Sequence, residues 1–468
     1  MIKWSFFPRF RGGAARGCLA GERAWHERAQ PVFSTSVRRL SQFVGARVTH
    51  AALAPEYDPS ATTAVFGDKS LPQLVFEGVL FKLCSYSSLV RLASATLQGD
   101  YPIVSPLARI LVRHSIFPHF VAGESMESCL EISRSLNKYA SVSTILDHNI
   151  EEKETEDAWD LNLKNKLAHL ERLRAQQHTV KFIPLKPTAL MCPKLLETMT
   201  KHLESGGGND EESCVAALSA EERKRLESGL SRLSEICRVA RDGKLGVLLD
   251  AEQTYRQPAI EVVAHRLSKL FNCQGDVVVY NTYQCYLQRT AAALKRDIEL
   301  AKRDNYTLAV KLVRGAYMRT ERQRIASMNY SMQDPILKSK AATDASYNSA
   351  LATLIQQVPK GSVSVLVATH NRQSVDHAVS LMKQQDMENS HPQVHFGSIM
   401  GMSDNVSNAL GLAGYNSLKL VSFGQFEDVL PWLCRRLDEN SDALGAMQGE
   451  RQLIAQEIWN RIDPRIKG

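Results

Sequence analysis

The stretch KLVRGAYMRTER, residues 311–322, combines residue types suited to binding an anion. An apolar run resembling a β-strand contains Lys311 and ends in Arg314, Gly315 and Tyr317. A lysine inside a folded core is costly unless it has a partner, and an anionic or electron-rich ligand would supply one. Cations at a strand exit, beside a glycine that allows close backbone approach, suit a pyrophosphate. Because side chains alternate, Lys311 and Arg314 can meet one ligand only if the strand ends or twists between them.

A second pair of cations lies near the C-terminus. The segment DVLPWLCRRLDENSDAL, residues 428–444, has leucines at helical spacing and carries Arg435 and Arg436 side by side. Glu439 follows Arg435 by four residues and can pair with it along the helix. Adjacent arginines usually form a solvated helix face. This helix follows the last predicted strand, however, so it can also reach over a barrel mouth, where two guanidinium groups could bind a carboxylate.

Eight short β-branched runs, separated by helix-forming sequence, are expected to position these side chains. The predicted strands are 141–147, 179–186, 244–250, 276–284, 308–315, 363–370, 393–400 and 417–424. Apolar strands alternating with helices indicate a parallel sheet, and eight units in about 300 residues favour a (β/α)8 barrel over a doubly wound open sheet. Active sites in such barrels lie at the C-terminal ends of the strands. These ends nominate Asp147, Lys186, Asp250, Asn281, Tyr283, Gln284, Arg314, Tyr317, Thr369, His370, Asn371, Met400 and Gly424.

The remaining sequence surrounds this predicted barrel, which occupies 141–445. Residues 42–140 are predicted to form an N-terminal helical region, and 446–468 a C-terminal helix. The segment after the second strand is too long for one crossover, so 194–240 is predicted to be a helical insertion. It includes the acidic, glycine-rich linker ESGGGNDEES.

The N-terminus accounts for most of the net charge of +7. Residues 1–41 hold eight lysines and arginines against two glutamates, so they contribute +6 and leave the body near neutral. A near-neutral body argues against a nucleic-acid surface. An arginine-rich, acid-poor, serine-containing N-terminus is typical of a mitochondrial transit peptide, although a disordered basic tail has the same composition.

Several kinds of site find no support in the sequence. The nine cysteines form no C-x-x-C pair, which favours reduced thiols over a disulfide framework. We expect no metal site, because no H-E-x-x-H occurs and the two histidines of HSIFPHF lack a carboxylate nearby. No G-x-G-x-x-G or P-loop motif is present, and no apolar run reaches 18 residues.

Taken together, the motifs resemble those of flavin-dependent proline dehydrogenases of the eukaryotic mitochondrial type. The matching pieces appear in the family's order and span roughly residues 70–445. They are FVAGES (120–125), FIPLKPTAL (182–190), LLDAEQTYRQPAIE (248–261), YNTYQ (280–284), KLVRGAYMRTER (311–322), VATHN (367–371), FGSIMGMSD (396–404) and LCRRLDEN (433–440).

The resemblance implies a distorted (β/α)8 barrel that holds FAD non-covalently and oxidises L-proline to Δ1-pyrroline-5-carboxylate. The residues implied to act in the reaction are Asp250, Lys311 and Tyr317. Those implied to bind the substrate are Lys186, Arg435, Arg436, Glu439, Ile399 and Leu420. Those implied to contact the flavin are Ala251, Asn281, Lys311, Arg314, Gly315, Ala316, Thr369, His370 and Asn371. The resemblance also implies electron transfer to ubiquinone and peripheral contact with the matrix side of the mitochondrial inner membrane.

One position departs from the family pattern. Many members carry a tyrosine in the motif of the eighth strand, where SLKLVSFG has Leu420. The tyrosine hydroxyl would lie beside the ring atom that bears the extra oxygen in 4-hydroxyproline, and it could bond Asp250. Its absence weakens the case for strict selectivity and keeps a hydroxyproline dehydrogenase as an alternative. A Schiff-base aldolase using Lys186 or Lys311, and a non-catalytic barrel, are further alternatives.

Overall fold

Each of the eight apolar runs forms a strand, and the strands close into one parallel barrel. The computed structural model describes residues 55–86, 88–89, 96–97, 104–148, 152–176, 178–205, 211–328, 334–442, 444–463 and 465, so the predicted transit peptide lies outside the described residues. The strands are β1 Ser143–His148, β2 Val180–Leu185, β3 Gly246–Leu249, β4 Val279–Gln284, β5 Leu308–Val313, β6 Val363–Ala368, β7 Val394–Ile399 and β8 Ser417–Phe423. Each strand pairs with the next in chain order, and β8 returns to β1. The predicted (β/α)8 barrel is therefore confirmed, and the open sheet is excluded.

Helices lie between the strands and on both sides of the barrel sequence. Numbered in chain order among the described residues, they are α1 Thr62–Val65, α2 Leu71–Cys84, α3 Val104–His114, α4 Phe117–Phe120, α5 Met126–Ala140, α6 Glu156–Leu173, α7 Pro193–Glu204, α8 Glu211–Ala216, α9 Ala220–Asp242, α10 Gln257–Phe271, α11 Thr290–Arg303, α12 Met318–Ser327, α13 Lys340–Gln357, α14 Arg372–Gln384, α15 Asp404–Leu412, α16 Phe426–Asp442 and α17 Leu444–Ile462. Short 3-10 helices occupy Arg174–Gln176, Pro187–Ala189 and Val358–Lys360.

Strand alternation divides the apolar side chains between the barrel interior and the helical layer. The interior cluster consists of Ile145, Phe182, Leu248, Tyr280, Ala309, Leu366 and Leu418. The intervening strand residues face outward and pack under the helices in two larger clusters. This interior is filled with side chains, as in other barrels of this type, and leaves the strands' C-terminal ends to form a site.

Two helical regions lie outside the simple β/α repeat. Helices α7, α8 and α9 follow β2, and α7 and α9 pack against α10. Before the barrel, α1 and α2 pack against the C-terminal helix α17, and α1 also packs against α15. Within the described residues, no helix is both long and apolar enough to cross a bilayer.

Candidate active site

A cavity of about 1010 Å³ opens at the C-terminal ends of the strands. Most residues nominated from the sequence line it. They are Asp147, Lys186, Asp250, Ala251, Gln284, Lys311, Arg314, Gly315, Ala316, Tyr317, Thr369, His370, Asn371, Ile399 and Leu420. Tyr283, Met400 and Gly424 do not line it. Most of the side chains named from the strand ends, and several named from the resemblance, therefore lie around one cavity.

Lys311 extends from β5 into this cavity, where it pairs with Asp250. Its Nζ lies 2.6 Å from Oδ1 of Asp250, which directly follows β3. The two side chains keep 18% and 27% of their surface exposed, so the pair is only partly removed from water. The inward-facing lysine thus has a protein carboxylate as a partner, in addition to any ligand it meets.

Arg314 lies beyond the end of β5, because the strand stops at Val313. Its guanidinium donates to Asp344 at 2.6 Å, Thr369 at 2.8 Å and Ser374 at 3.0 Å. It also lies 4.4 Å from the centre of the Tyr347 ring. Strict alternation placed Lys311 and Arg314 on opposite faces, but the strand ends between them and both line the cavity.

The loop after Arg314 is held close to β4. Gly315 has a φ of 135°, in the region that favours glycine, and a Cβ there would stand 1.6 Å from Cδ1 of Tyr286. The Ala316 N–H donates to Oε1 of Gln284 at 3.3 Å. The Gln284 amide in turn donates to the Glu252 carbonyl at 2.9 Å. Gln284 therefore links the loop to the segment after β3.

Asn281 does not join the site, which corrects its expected position at the flavin edge. On β4, Tyr280 faces the barrel interior, while Thr282 and Gln284 line the cavity. Asn281 alternates with them and is buried with 2% exposure on the outward face, under the helices. The alternation of side chains along β4 therefore brings Thr282 and Gln284 to the cavity instead of Asn281.

Lys166 lines the cavity and was missed from the sequence. It extends from α6 with 5% exposure, and its Nζ donates to the Pro184 carbonyl at 3.4 Å. Burial lowers its pKa, and burial likewise raises the pKa of Asp147 on β1. Lys166 stands at helical spacing with Trp159 and Leu170 on the buried face of α6. The available signal was a cation on the buried face of the helix, where Asn162 is the other polar residue.

The side chains of Arg435, Arg436 and Glu439 lie outside the described part of the structure. The helix that carries them, α16, begins at Phe426, and its Trp432 lines the cavity. Their roles at the substrate carboxylate therefore stay predictions.

Glu252 lies next to Gln284, the last residue of β4, whose side-chain amide donates to the Glu252 carbonyl. Its side chain accepts from the Thr188 N–H at 3.2 Å and from the Thr188 hydroxyl at 2.9 Å, and Arg256 lies 3.8 Å away. The residue is 3% exposed, and burial raises its pKa from 4.5 to about 7. The folded protein thus retains this proton over a pH range in which the unfolded chain has lost it.

Replacing Glu252 by glutamine is expected to flatten the pH dependence of stability. A raised pKa stabilises the fold fully below the unfolded value, and this contribution is lost as the pH rises through the folded value. The separation from 4.5 to about 7 corresponds to about 3 kcal/mol. Urea unfolding of both proteins at several values between pH 4.5 and 8 measures the difference. Parallel profiles would contradict the assignment.

The cavity also fits a dinucleotide. Its volume is at the upper end of the range of about 300–1,000 Å³ usual for small-molecule sites. The N-terminus of α14 faces it through Asn371, Arg372 and Gln373, and helix N-termini bind phosphate well. Arg314 and Lys340 add cations on the same wall. Among the described residues, no group of three His, Cys, Asp or Glu side chains could hold a metal ion.

Comparison with known proteins agrees with these features. The sequence model of the family described as proline dehydrogenase matches residues 129–449. The chain belongs to the proline dehydrogenase family. Membership makes the protein a flavin-dependent oxidoreductase and removes the support for the aldolase alternative.

Curated relatives carry two different names. The chain is 30% identical over 417 residues to a hydroxyproline dehydrogenase of Xenopus laevis, covering 85% of this chain and 89% of the relative. It is 32% identical to a hydroxyproline dehydrogenase of Bos taurus, with 84% and 91% covered. It is 29% identical to proline dehydrogenase 1, mitochondrial, of Dictyostelium discoideum, with 86% and 74% covered.

Solved structures share the fold at low sequence identity. The match to proline utilization A from Bdellovibrio bacteriovorus has a TM-score of 0.64 and 16% identity. It covers 82% of this chain and 41% of the other, so this protein spans less than half of that larger chain. A proline utilization A from Bradyrhizobium japonicum matches with a TM-score of 0.58 and 16% identity, covering 90% of this chain and 50% of the other.

Proposed function

We propose that this protein oxidises L-proline to Δ1-pyrroline-5-carboxylate with bound FAD, as the first step of proline catabolism. The observation that carries the proposal is the Lys311–Asp250 pair, 2.6 Å apart. The pair lies in a cavity that Lys186 and Tyr317 also line, within the part of the chain that the family model matches. Bound FAD would accept a hydride from the ring carbon next to nitrogen. The chain's own residues supply binding, orientation and charge.

Substrate orientation is assigned to two groups of residues. Lys186, together with Arg435 and Arg436, would bind the carboxylate, since cations that hold both of its oxygens fix its direction. Tyr317 and Ile399 line the cavity and would confine the ring between them. Fixing the carboxylate and the ring places the reacting carbon, which is catalysis by positioning.

The role of stabilising negative charge during the reaction is assigned to Lys311. An ammonium group held 2.6 Å from Asp250 keeps a fixed place at the cavity wall. A preorganised cation stabilises negative charge that develops during the reaction, and it does so without having to reorient. Asp250 has no tyrosine partner from β8 here, because Leu420 occupies that position; its ion pair with Lys311 orients it.

The visible spectrum of the purified protein tests the proposal. We expect a yellow protein whose flavin absorbance bleaches when L-proline is added without oxygen. A colourless protein that takes up no FAD, or a yellow one that proline does not bleach, would overturn it.

A second candidate substrate is 4-hydroxyproline. Two observations favour it: the relatives named hydroxyproline dehydrogenase, and Leu420, which lines the cavity without a hydroxyl. The ratio of kcat/KM for the two imino acids decides. A ratio above ten in favour of L-proline supports the first proposal, and the reverse supports the second.

The proposed electron acceptor is ubiquinone, at the matrix side of the mitochondrial inner membrane. The arginine-rich N-terminus and the relatives named mitochondrial support this location. An exposed apolar surface is available on α2, whose apolar face consists of Val75, Phe76, Val79 and Leu83, each 42–55% exposed. Lys82 is the only exposed charged residue of this helix. Such a face suits shallow insertion among lipid headgroups.

Val79→Glu is expected to weaken binding to membranes. A carboxylate at the centre of the apolar face of α2 opposes insertion and is repelled by anionic lipid. Flotation with vesicles of phosphatidylcholine and cardiolipin measures binding, and oxidation with a soluble dye as acceptor should stay unchanged. Leu161→Glu is the matched control, because Leu161 is 57% exposed on α6. Equal flotation of both variants and the parent would count against α2 as the contact surface.

A further inference from the structure

A cluster of buried charges joins the N-terminal region, the barrel and the C-terminal helix. It consists of Lys69, Glu77, Asp404, Lys419 and Glu450. Lys69 lies 2.7 Å from Asp404 and 2.7 Å from Glu77. Lys419, with 1% of its side chain exposed, lies 2.7 Å from the other oxygen of Asp404. We call this group the lysine–carboxylate cluster.

The cluster forms hydrogen bonds with the backbone of the loop between β7 and α15. Lys419 donates to the carbonyl oxygens of Met402 at 2.6 Å and Ile399 at 3.4 Å. Glu450 accepts from the N–H groups of Ser403 at 2.8 Å and Asp404 at 2.7 Å, at the N-terminus of α15. A carboxylate in that place satisfies two backbone donors that the helix leaves unpaired.

This loop has a constrained backbone of its own. Gly401 has a φ of 76°, and a Cβ there would lie 2.5 Å from the His119 carbonyl oxygen. Ser403 has a φ of 52°, which is uncommon for a residue other than glycine. The Nε2 of His119 also lies 2.9 Å from the Gly401 carbonyl oxygen. Such conformations persist only where the surroundings determine them.

The segment that the cluster holds, residues 399–403, contributes to the cavity wall. Ile399, Ser403 and Glu450 all line the cavity, and Ser403 donates to the His370 carbonyl at 3.3 Å. Asn405, the second residue of α15, also lines the cavity, and its side chain donates to the Pro59 carbonyl at 3.0 Å. The wall that faces the substrate is therefore held by residues from both ends of the described chain.

Stability alone does not explain this arrangement. Removing two lysines and three carboxylates from water is costly, and apolar side chains of similar volume often stabilise a fold as well or better. Charged groups give a direction that apolar packing lacks, since each fixes particular backbone donors or acceptors. The contacts of Lys419 and Glu450 are of this directional kind.

We propose that the lysine–carboxylate cluster positions the Ile399–Ser403 wall against the substrate, with Lys69 as the positioning residue supplied by the N-terminal region. Lys69 holds Asp404 and Glu77 together, Asp404 orients Lys419, and Lys419 fixes the carbonyl oxygen of Ile399. The substrate meant here is the one in the proposed function. The role of the cluster in holding the loop can be measured without any substrate.

Lys69→Met tests the proposal through two readouts. Amide hydrogen exchange at Ser403 and Asp404 should accelerate at least tenfold, because Asp404 loses one of the two lysines that hold it, Lys69 and Lys419. The KM for L-proline should rise about tenfold while the FAD content per chain and kcat change less than threefold. Lys69→Arg retains the charge and should restore both values to within threefold of the parent.

Lys302→Met is the matched control, since it removes a lysine from an exposed i,i+3 pair with Glu299. If Lys69→Met does not fold, Glu450→Gln replaces it, because this change keeps the side-chain volume and one acceptor oxygen. Parental exchange rates, or accelerated exchange with an unchanged KM, would overturn the proposal. If the parent protein does not oxidise proline, the proposed function fails, and the exchange rates alone then decide whether the cluster holds the loop.

Discussion

Lys311→Met is expected to slow flavin reduction by L-proline by about a hundredfold or more. Removal of one preorganised donor at a site of developing charge typically reduces the rate by about 10²–10³. The change also leaves the Asp250 carboxylate, 2.6 Å away in the parent, without its cation at the cavity wall. Both effects disfavour negative charge on the reduced cofactor. Anaerobic stopped-flow absorbance gives the rate constant.

Lys311→Arg separates the charge from the particular side chain. It should recover most of the rate, because a guanidinium can still pair with Asp250. Lys302→Met, at the surface, should reduce at the parental rate. A Lys311→Met protein that holds FAD and is reduced within threefold of the parental rate would remove Lys311 from the reaction.

Gly315→Ala should destabilise the protein by about 3–5 kcal/mol and release FAD. The new methyl group would lie 1.6 Å from Cδ1 of Tyr286, whose ring is buried against Leu287 and Ile336. The backbone of Tyr286 is held in place, because its N–H donates to the Arg314 carbonyl at 2.7 Å and its carbonyl accepts from Leu337 at 2.8 Å. Overpacking costs about 1–3 kcal/mol, and the φ of 135° adds a similar strain.

Gly361→Ala is the control for the strain alone. Gly361 also has a positive φ, of 72°, but nothing lies within 4 Å of the position of its Cβ. It should therefore show only the backbone contribution, about 1 kcal/mol. Urea unfolding and the FAD content of the purified proteins compare the two. Equal losses in both variants would show that Tyr286 yields and that the close packing at Gly315 is unimportant.

The barrel could be predicted from the sequence because each of its strands is marked by residues that are adjacent in the chain. Each strand is a short β-branched run, and the strand-end rule depends only on where such runs stop. Asp250 follows from that rule, whereas Lys311 was noticed as a cation inside an apolar strand. Asn281 shows its limit, since one residue of phase decides whether a side chain faces the cavity or the helices. Nothing in YNTYQ alone sets that phase.

Contacts between distant segments could not be predicted in the same way. Lys166 reaches the cavity from the middle of a helix, and Glu450 reaches it from the C-terminal helix. Lys69 was unremarkable in the sequence, because its partner Asp404 is 335 positions away. Pairings of this kind arise from packing, and no local pattern of residue types records them.

The long distance in sequence between Lys69 and its partners determines when the site can be completed during synthesis. Lys69 leaves the ribosome long before Asp404, Lys419 and Glu450 exist, and a contact of this span cannot form until the intervening chain has been made. Folds that depend on such distant pairings acquire them late and slowly. The wall of the site is therefore completed only when the last helix docks, and a chain that stops before residue 450 would form strands and helices without a finished place for the substrate.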